Sequence, residues 1–215
     1  MHTNDLVSII LPIHNPGLCL ETCLQSLREQ THTNIEIIVV DDNSKDGSHR
    51  TLSRFKKLDK RIKVFRKKKR YGLAISLNRA IKRARGGFIA FMDPHDRSSK
   101  HRIKKQLQYL SQNPKTVAIG TQCHFVNEEG KRKQKSIFPL DHDSIHKSLL
   151  PGLSLLYDTV MVNRYVIPKD LLKFNTAIYT SLLGGKYVLF TELFMKLRQY
   201  GQFANLPQAL HMPVS

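Results

Sequence analysis

Two hydrophobic patterns alternate along the first half of the chain. Short apolar runs rich in β-branched residues occur at 6–11 (LVSIIL), 35–40 (IEIIVV), 62–65, 88–92 (FIAFM) and 117–120. Runs of that length and composition predict strands buried on both faces. Between them, apolar residues recur three and four positions apart. Cys19, Leu20, Cys23, Leu24 and Leu27 form one such set, Leu52, Phe55 and Leu58 a second, the stretch 73–84 a third, and Ile103, Leu107 and Leu110 a fourth. That spacing predicts helices with one apolar face, the third stopped by Gly86-Gly87. Strand and helix in alternation predict an α/β fold, a mostly parallel sheet with helices on both faces.

After residue 122 the alternation stops. Phe125-Val126-Asn127, Glu128-Glu129-Gly130 and the residues from Lys131 onward predict a hairpin. A short helix is expected over 143–150, a strand over 160–162, and a helix over 192–200 closed by Gly201. At 215 residues the chain suits one domain. Residues 1–122 form its Rossmann-like half and 123–215 a small mixed C-terminal extension of the same domain.

In such sheets ligands sit beyond the carboxyl ends of the strands. Three polar clusters fall there: Pro12-Ile13-His14-Asn15, Asp41-Asp42-Asn43-Ser44 and Asp93-Pro94-His95-Asp96. Together they make a stronger site than any one alone.

Composition narrows the class. Apolar residues make up 40% and charged residues 24%, a globular balance that excludes wholesale disorder. No run approaches the ~20 apolar residues of a membrane span, and no basic segment precedes an apolar stretch at the N-terminus, so neither an integral helix nor a secretory signal is expected. Three cysteines, an odd number without a spaced framework, suit reduced thiols in the cytoplasm. Cys19 and Cys23 read as small apolar residues facing a core rather than as a metal pair.

Charge adds a partner class. The formal charge is +18, and between Arg50 and Arg70 there are twelve Lys/Arg against one acid, Asp59. Smaller clusters hold Arg97, Lys100, Arg102, Lys104 and Lys105, and then Lys131, Arg132, Lys133 and Lys135. This density suits nucleic acid, an anionic membrane face or phosphorylated substrates, or simply a solvated face. No base-reading or stacking element accompanies it, which makes a nucleic-acid module the weakest of these.

The strand-end motifs, taken in order, resemble the family 2 glycosyltransferases of the GT-A fold. Residues 7–15 (VSIILPIHN) look like that family's opening strand, and 41–48 (DDNSKDGS) are similar to its second-strand motif. The segments Gly72-Leu73-Ala74 through Asn78 and 84–93 (ARGGFIAFMD) match the approach to its Asp-x-Asp region. Arg102-Ile103, residues 127–130 and Gly201 with Asn205-Leu206-Pro207 continue the series over almost the whole chain.

The resemblance implies transfer of a sugar from a nucleotide-diphosphate donor, plausibly UDP-linked, to an acceptor hydroxyl in glycan or cell-envelope synthesis, usually with inversion. It assigns donor contacts to Pro12, His14, Asn15, Asp41, Asp42 and Asp93, with Asp42 accepting from the base, as an acceptor-only carboxylate can. The acceptor would be a glycan or a lipid-linked sugar. The location would be the cytoplasm, with peripheral contact to the inner face of the membrane through the basic clusters.

Two positions depart from the family pattern. The family's Asp-x-Asp-Asp holds a divalent ion, but here the segment is Asp93-Pro94-His95-Asp96. Three readings stay open: His95 takes a softer ion, Mn²⁺ before Mg²⁺; Asp93 or Asp96 holds the metal; or no metal is used and nearby Lys/Arg carry the diphosphate. The family's general base falls at Leu189-Phe190, which carry no proton. Glu192, two residues on, and Asp158, in Tyr157-Asp158-Thr159 where the family often has His-Pro-Ser, are the candidate replacements. The alternative function is a catalytically impaired homologue that binds a nucleotide sugar or scaffolds an active enzyme.

Overall fold

The computed structural model describes residues 5–127, 131–149, 154–177 and 185–214. Its centre is β1 (Val7–Ile13), which lies parallel between β2 (Ile35–Asp41) and β4 (Phe88–Phe91). β3 (Ile62–Arg66) continues the parallel sheet outside β2. The crossings carry α1 (Cys19–Arg28), α2 (Ser48–Leu58) and α3 (Leu73–Arg83). These elements fall close to where the hydrophobic pattern put them.

Side chains alternate across a strand, so each central strand feeds two cores. Val7, Ile9, Leu11 and Ile13 pack with α1 and α2 on one face. Ile10, with Ile38 and Val40 of β2, packs with α3 on the other.

Beyond β4 the sheet becomes mixed. α4 (Arg102–Gln112) leads into β6 (Thr116–Val126), which runs well past the expected end at 120. β8 (Met161–Asn163) lies antiparallel between β4 and β6. β9 (Gln202–Met212) pairs parallel with β6, and β5 (Arg97–Ser98) pairs antiparallel with β9. The strand order is β3-β2-β1-β4-β8-β6-β9-β5, with β7 (Arg132–Lys135) antiparallel on β6. The expected hairpin is therefore present, although its tip, 128–130, lies outside the described residues.

Two elements differ from the pattern. β9 was not expected as a strand, because Pro207 breaks its ladder and the register against β6 shifts twice between Thr121 and Cys123. The expected helix at 192–200 is α6 (Gly185–Leu197), which begins seven residues earlier. Its start is apolar on most sides, so 3.6-residue periodicity does not mark it. The helix expected at 143–150 is the shorter α5 (His142–Lys147), and residue 150 lies outside the described residues. α5 and α6 pack on the same face as α3.

Candidate active site

The carboxyl ends of β1, β2 and β4 open onto a cavity of about 430 Å³ lined by Pro12, His14, Asp42, Asp93, His95 and Asp158, with Lys186, Tyr157 and Phe190 opposite. This is where an α/β sheet of this topology places a ligand.

The loops after β1 and β2 are laced together. His14 Nδ1 donates to the Asp42 carbonyl at 2.9 Å. Asn15, left-handed at φ 49°, donates its backbone N–H to Ser44 Oγ at 3.0 Å, and its Oδ1 accepts from the Lys45 N–H at 2.8 Å. Asp41 accepts from the Ser44 N–H at 2.8 Å and faces Arg66 Nε at 3.3 Å. Asn15 and Asp41 thus hold the loops in place and do not line the cavity, where donor contacts were expected of them.

Asp42 does line it, but its carboxylate is already engaged. It accepts from the backbone N–H groups of Tyr71 and Gly72 at 2.8 and 2.7 Å, and Lys67 Nζ lies 3.1 Å away. Three of about four acceptor positions are taken, which anchors residues 67–72 beside the cavity.

At the end of β4, Asp93 collects positive charge. Its Oδ1 accepts from the His95 backbone N–H at 3.0 Å and from His95 Nδ1 at 2.8 Å, and its Oδ2 is paired with Lys186. Burial pushes the Asp93 carboxyl up, but the His95 hydrogen bond and the Lys186 charge outweigh it and hold the group well below the carboxylate range. The hydrogen bond to Asp93 raises the His95 imidazole in turn. Burial lowers Lys186, but Asp93, by charge and hydrogen bond, together with the charges of Asp158 and Asp96, raises it above its ordinary value.

Asp96 turns out of the cavity. Its Oδ2 accepts from His211 Nε2 at 2.8 Å and its Oδ1 from the Val214 N–H at 3.2 Å. All four oxygens of Asp93 and Asp96 therefore face donors of the chain itself. Among the described residues no group of three or more His, Cys, Asp or Glu side chains is placed to hold a metal. As arranged, Asp93, His95 and Asp96 do not fit a divalent ion.

The far wall is built around a buried guanidinium. Arg102, at the start of α4, donates through Nη1 to the Asp158 carbonyl at 2.6 Å and through Nη2 to the Phe91 carbonyl at 3.1 Å. It thereby ties the end of β4 to the 3₁₀ turn Tyr157–Thr159. Burial lowers its pKa to about 10. A contact from Nη1 to His211 Nδ1 at 3.3 Å, with Nε2 donating to Asp96, fixes one neutral tautomer of His211, and burial lowers that imidazole's pKa. The Asp158 side chain is raised well above the ordinary carboxylate value by burial, then by the charges of Asp93 and Asp96.

α6 presents Lys186 and Phe190, one turn apart, to the cavity. Phe190 stacks on Tyr157 at 4.7 Å between ring centres. Glu192 lies about 200° around the helix from Phe190. It pairs with Lys196 at 2.5 Å and does not line the cavity. Of the two candidate bases the structure brings only Asp158 to the site. Lys186 and His211 carry no local sequence signal of a site role, since Lys186 is a lone cation in an apolar stretch; Arg102 belongs to the motif series of the family resemblance, which did not mark it as a buried tie between β4 and the 157–159 turn.

The fold is an α/β fold of the GT-A type. The description Glycosyl transferase family 2 matches residues 8–178, so this chain belongs to that family and is a transferase of sugars by class. A relative from Bacillus subtilis (strain 168), TuaG, is 30% identical over 83% of this chain and 72% of its own length; its name assigns it, provisionally, as a teichuronic acid biosynthesis glycosyltransferase. A glycosyltransferase of Haemophilus influenzae is 31% identical over 90% of this chain and 74% of its own. Among solved structures, residues 1–349 of S. aureus TarS in complex with UDP superpose with a TM-score of 0.77 at 18% identity, over 97% of this chain and 60% of that one. The mannosyltransferase PcManGT from Pyrobaculum calidifontis, in complex with GDP-Man and Mn²⁺, gives 0.70 at 16% identity, over 96% of this chain and 56% of that one.

Proposed function

We propose that this chain transfers a sugar from a nucleotide-diphosphate donor, UDP-linked, to an acceptor hydroxyl of a cell-envelope polysaccharide, by single displacement with inversion. The observation that carries the reading is the cavity itself. The nucleobase wall of Pro12 and His14, the charged corner at Asp93, and the buried carboxyl of Asp158 face one space. The UDP and UDP-GlcNAc complexes of TarS support the donor class, and the name of TuaG supports the acceptor class.

In this reading the base lies against Pro12 and His14, and the diphosphate reaches the Asp93 corner. The acceptor hydroxyl approaches from the Asp158 side. Its oxygen attacks the anomeric carbon, its proton passes to ionised Asp158, and the bond to the diphosphate breaks with its electron pair leaving on the nucleotide. The raised proton affinity of Asp158 strengthens it as a base, and transfer proceeds from its ionised form, whose population grows as pH rises. The basic face around α2 and residues 60–70 rests on an anionic membrane surface on the cytoplasmic side.

A second reading, donor binding without transfer, is favoured by Phe190, which stands at the position where the family resemblance expects a base. One experiment separates the two. Donor hydrolysis and transfer are followed with UDP-sugars, with and without Asp158→Asn. The variant is expected to retain UDP binding and lose turnover by about 10²-fold or more. Turnover unchanged by the substitution refutes Asp158 as base. No turnover by the unaltered chain, with UDP bound, establishes the second reading.

A further inference from the structure

The Asp93 corner carries an inference that rests on the nucleotide-diphosphate reading above and goes beyond it. A diphosphate brings negative charge into a partly enclosed cavity, where a facing cation stabilises it more than it would in bulk water. Each carboxylate oxygen at this corner already faces a donor of the chain. Asp93 holds Lys186 on one oxygen and two donors of His95 on the other, while Asp96 is spent on His211 and Val214. An incoming divalent ion would have to displace an ammonium from a carboxylate whose side chain is only 9% exposed.

The ammonium is well placed to do the work itself. Lys186 stands in the first turn of α6, and its side chain is 43% exposed on the cavity side. Asp93 fixes one face of the charge and leaves the other toward the cavity. The Tyr157 ring lies 5.9 Å from Nζ and limits its swing. Arg70, which also lines the cavity, supplies a second cation.

We propose that the Lys186 ammonium, held by Asp93, is the cation against which the donor's diphosphate is bound, so that this chain binds its nucleotide without a divalent ion. On bond breaking the same ammonium faces the charge that develops on the leaving diphosphate.

The test is calorimetric titration of UDP, GDP and uridine into the full chain, in EDTA and in Mn²⁺. Unaltered protein, Lys186→Gln and Lys186→Arg are compared, and far-UV circular dichroism confirms that the variants fold. In EDTA the unaltered chain is expected to bind UDP within about threefold of its affinity in Mn²⁺. Lys186→Gln should weaken UDP by about 10- to 100-fold, the range of a hydrogen bond to a charged group. It should leave uridine binding within about twofold, and Lys186→Arg should recover most of the loss, since a guanidinium also donates to phosphate. Binding of UDP that requires Mn²⁺, or UDP affinity in EDTA that Lys186→Gln does not change, overturns this proposal and leaves the donor reading standing. Failure of UDP, GDP and uridine to bind under either condition overturns the donor reading, and the proposal falls with it.

Discussion

Removing the Asp42 carboxylate tests how the donor side of the cavity is held. Asp42→Asn keeps the size of the side chain but turns one of its two acceptor atoms into a donor. One of the backbone N–H groups of Tyr71 and Gly72 then loses its acceptor. Lys67, whose side chain is 1% exposed, loses its Asp42 carboxylate partner and keeps Ser76 Oγ at 2.8 Å. Burial already lowers the Lys67 pKa, and Asp42 partly restores it. Leaving one member of a buried pair uncompensated costs about 3–5 kcal/mol, a large part of a total stability of about 5–15 kcal/mol. At about 2–4 °C per kcal/mol for a chain of this size, the melting temperature should fall by roughly 6–20 °C. Adding Lys67→Met removes the orphaned charge, so the double variant should recover at least about half of that loss, a coupling of the kind double-mutant cycles resolve. Thermal melts followed by circular dichroism at neutral pH read Asp42→Asn, Lys67→Met and the double variant. A single variant that melts within about 2 °C of the unaltered chain, or a double variant that loses the sum of the singles, refutes the reasoning.

Glu36 gives an acid limb to stability. Burial raises its carboxyl, but Lys63 and Ser8, each at 2.6 Å, and the Arg85 N–H at 2.7 Å together lower it below its ordinary value of 4.5. The stabilisation is therefore complete above that value and is lost as pH falls through the folded pKa. Glu36→Gln should be less stable at neutral pH by about 1–3 kcal/mol, with denaturant midpoints that converge with the unaltered chain in acid; a constant gap at every pH would count against this account. The exposed side chains of Arg50, Arg54, Lys56, Lys57, Lys68, Lys69 and Arg70 form a basic face, and among the described residues no helix is long and apolar enough to cross a membrane. Co-sedimentation with anionic vesicles should fall steeply between low and physiological salt and be absent with neutral lipid; retention that ignores salt would argue against surface charge as the cause.

The family motifs legible along the chain fall at the carboxyl end of the sheet, where the cavity lies, as the strand-end rule expects. Pro12, His14, Asp42, Asp93, His95 and Asp158 do meet at the cavity. Asn15, Asp41 and Asp96 sit within a residue or two of them yet serve the loops and the buried His211, because a turn of one residue redirects a short polar side chain entirely. Glu192 shares a helix with Phe190 but lies on its other side, a consequence of 3.6 residues per turn rather than of distance along the chain.

What the amino-acid sequence determined by itself was local. Strand and helix periods, the order of the elements and the parallel half of the sheet follow from residues within a few positions of one another, and those interactions are visible as pattern. What tertiary structure decided were the long-range pairings. β9 becomes a strand because β6 offers it a ladder despite Pro207. Arg102 meets Asp158 across 56 positions. Lys186 meets Asp93 across 93, which gives the corner of the site its charge. No period in the sequence encodes such contacts; they exist only once burial of the two apolar layers has fixed where the strand ends and the start of α6 lie.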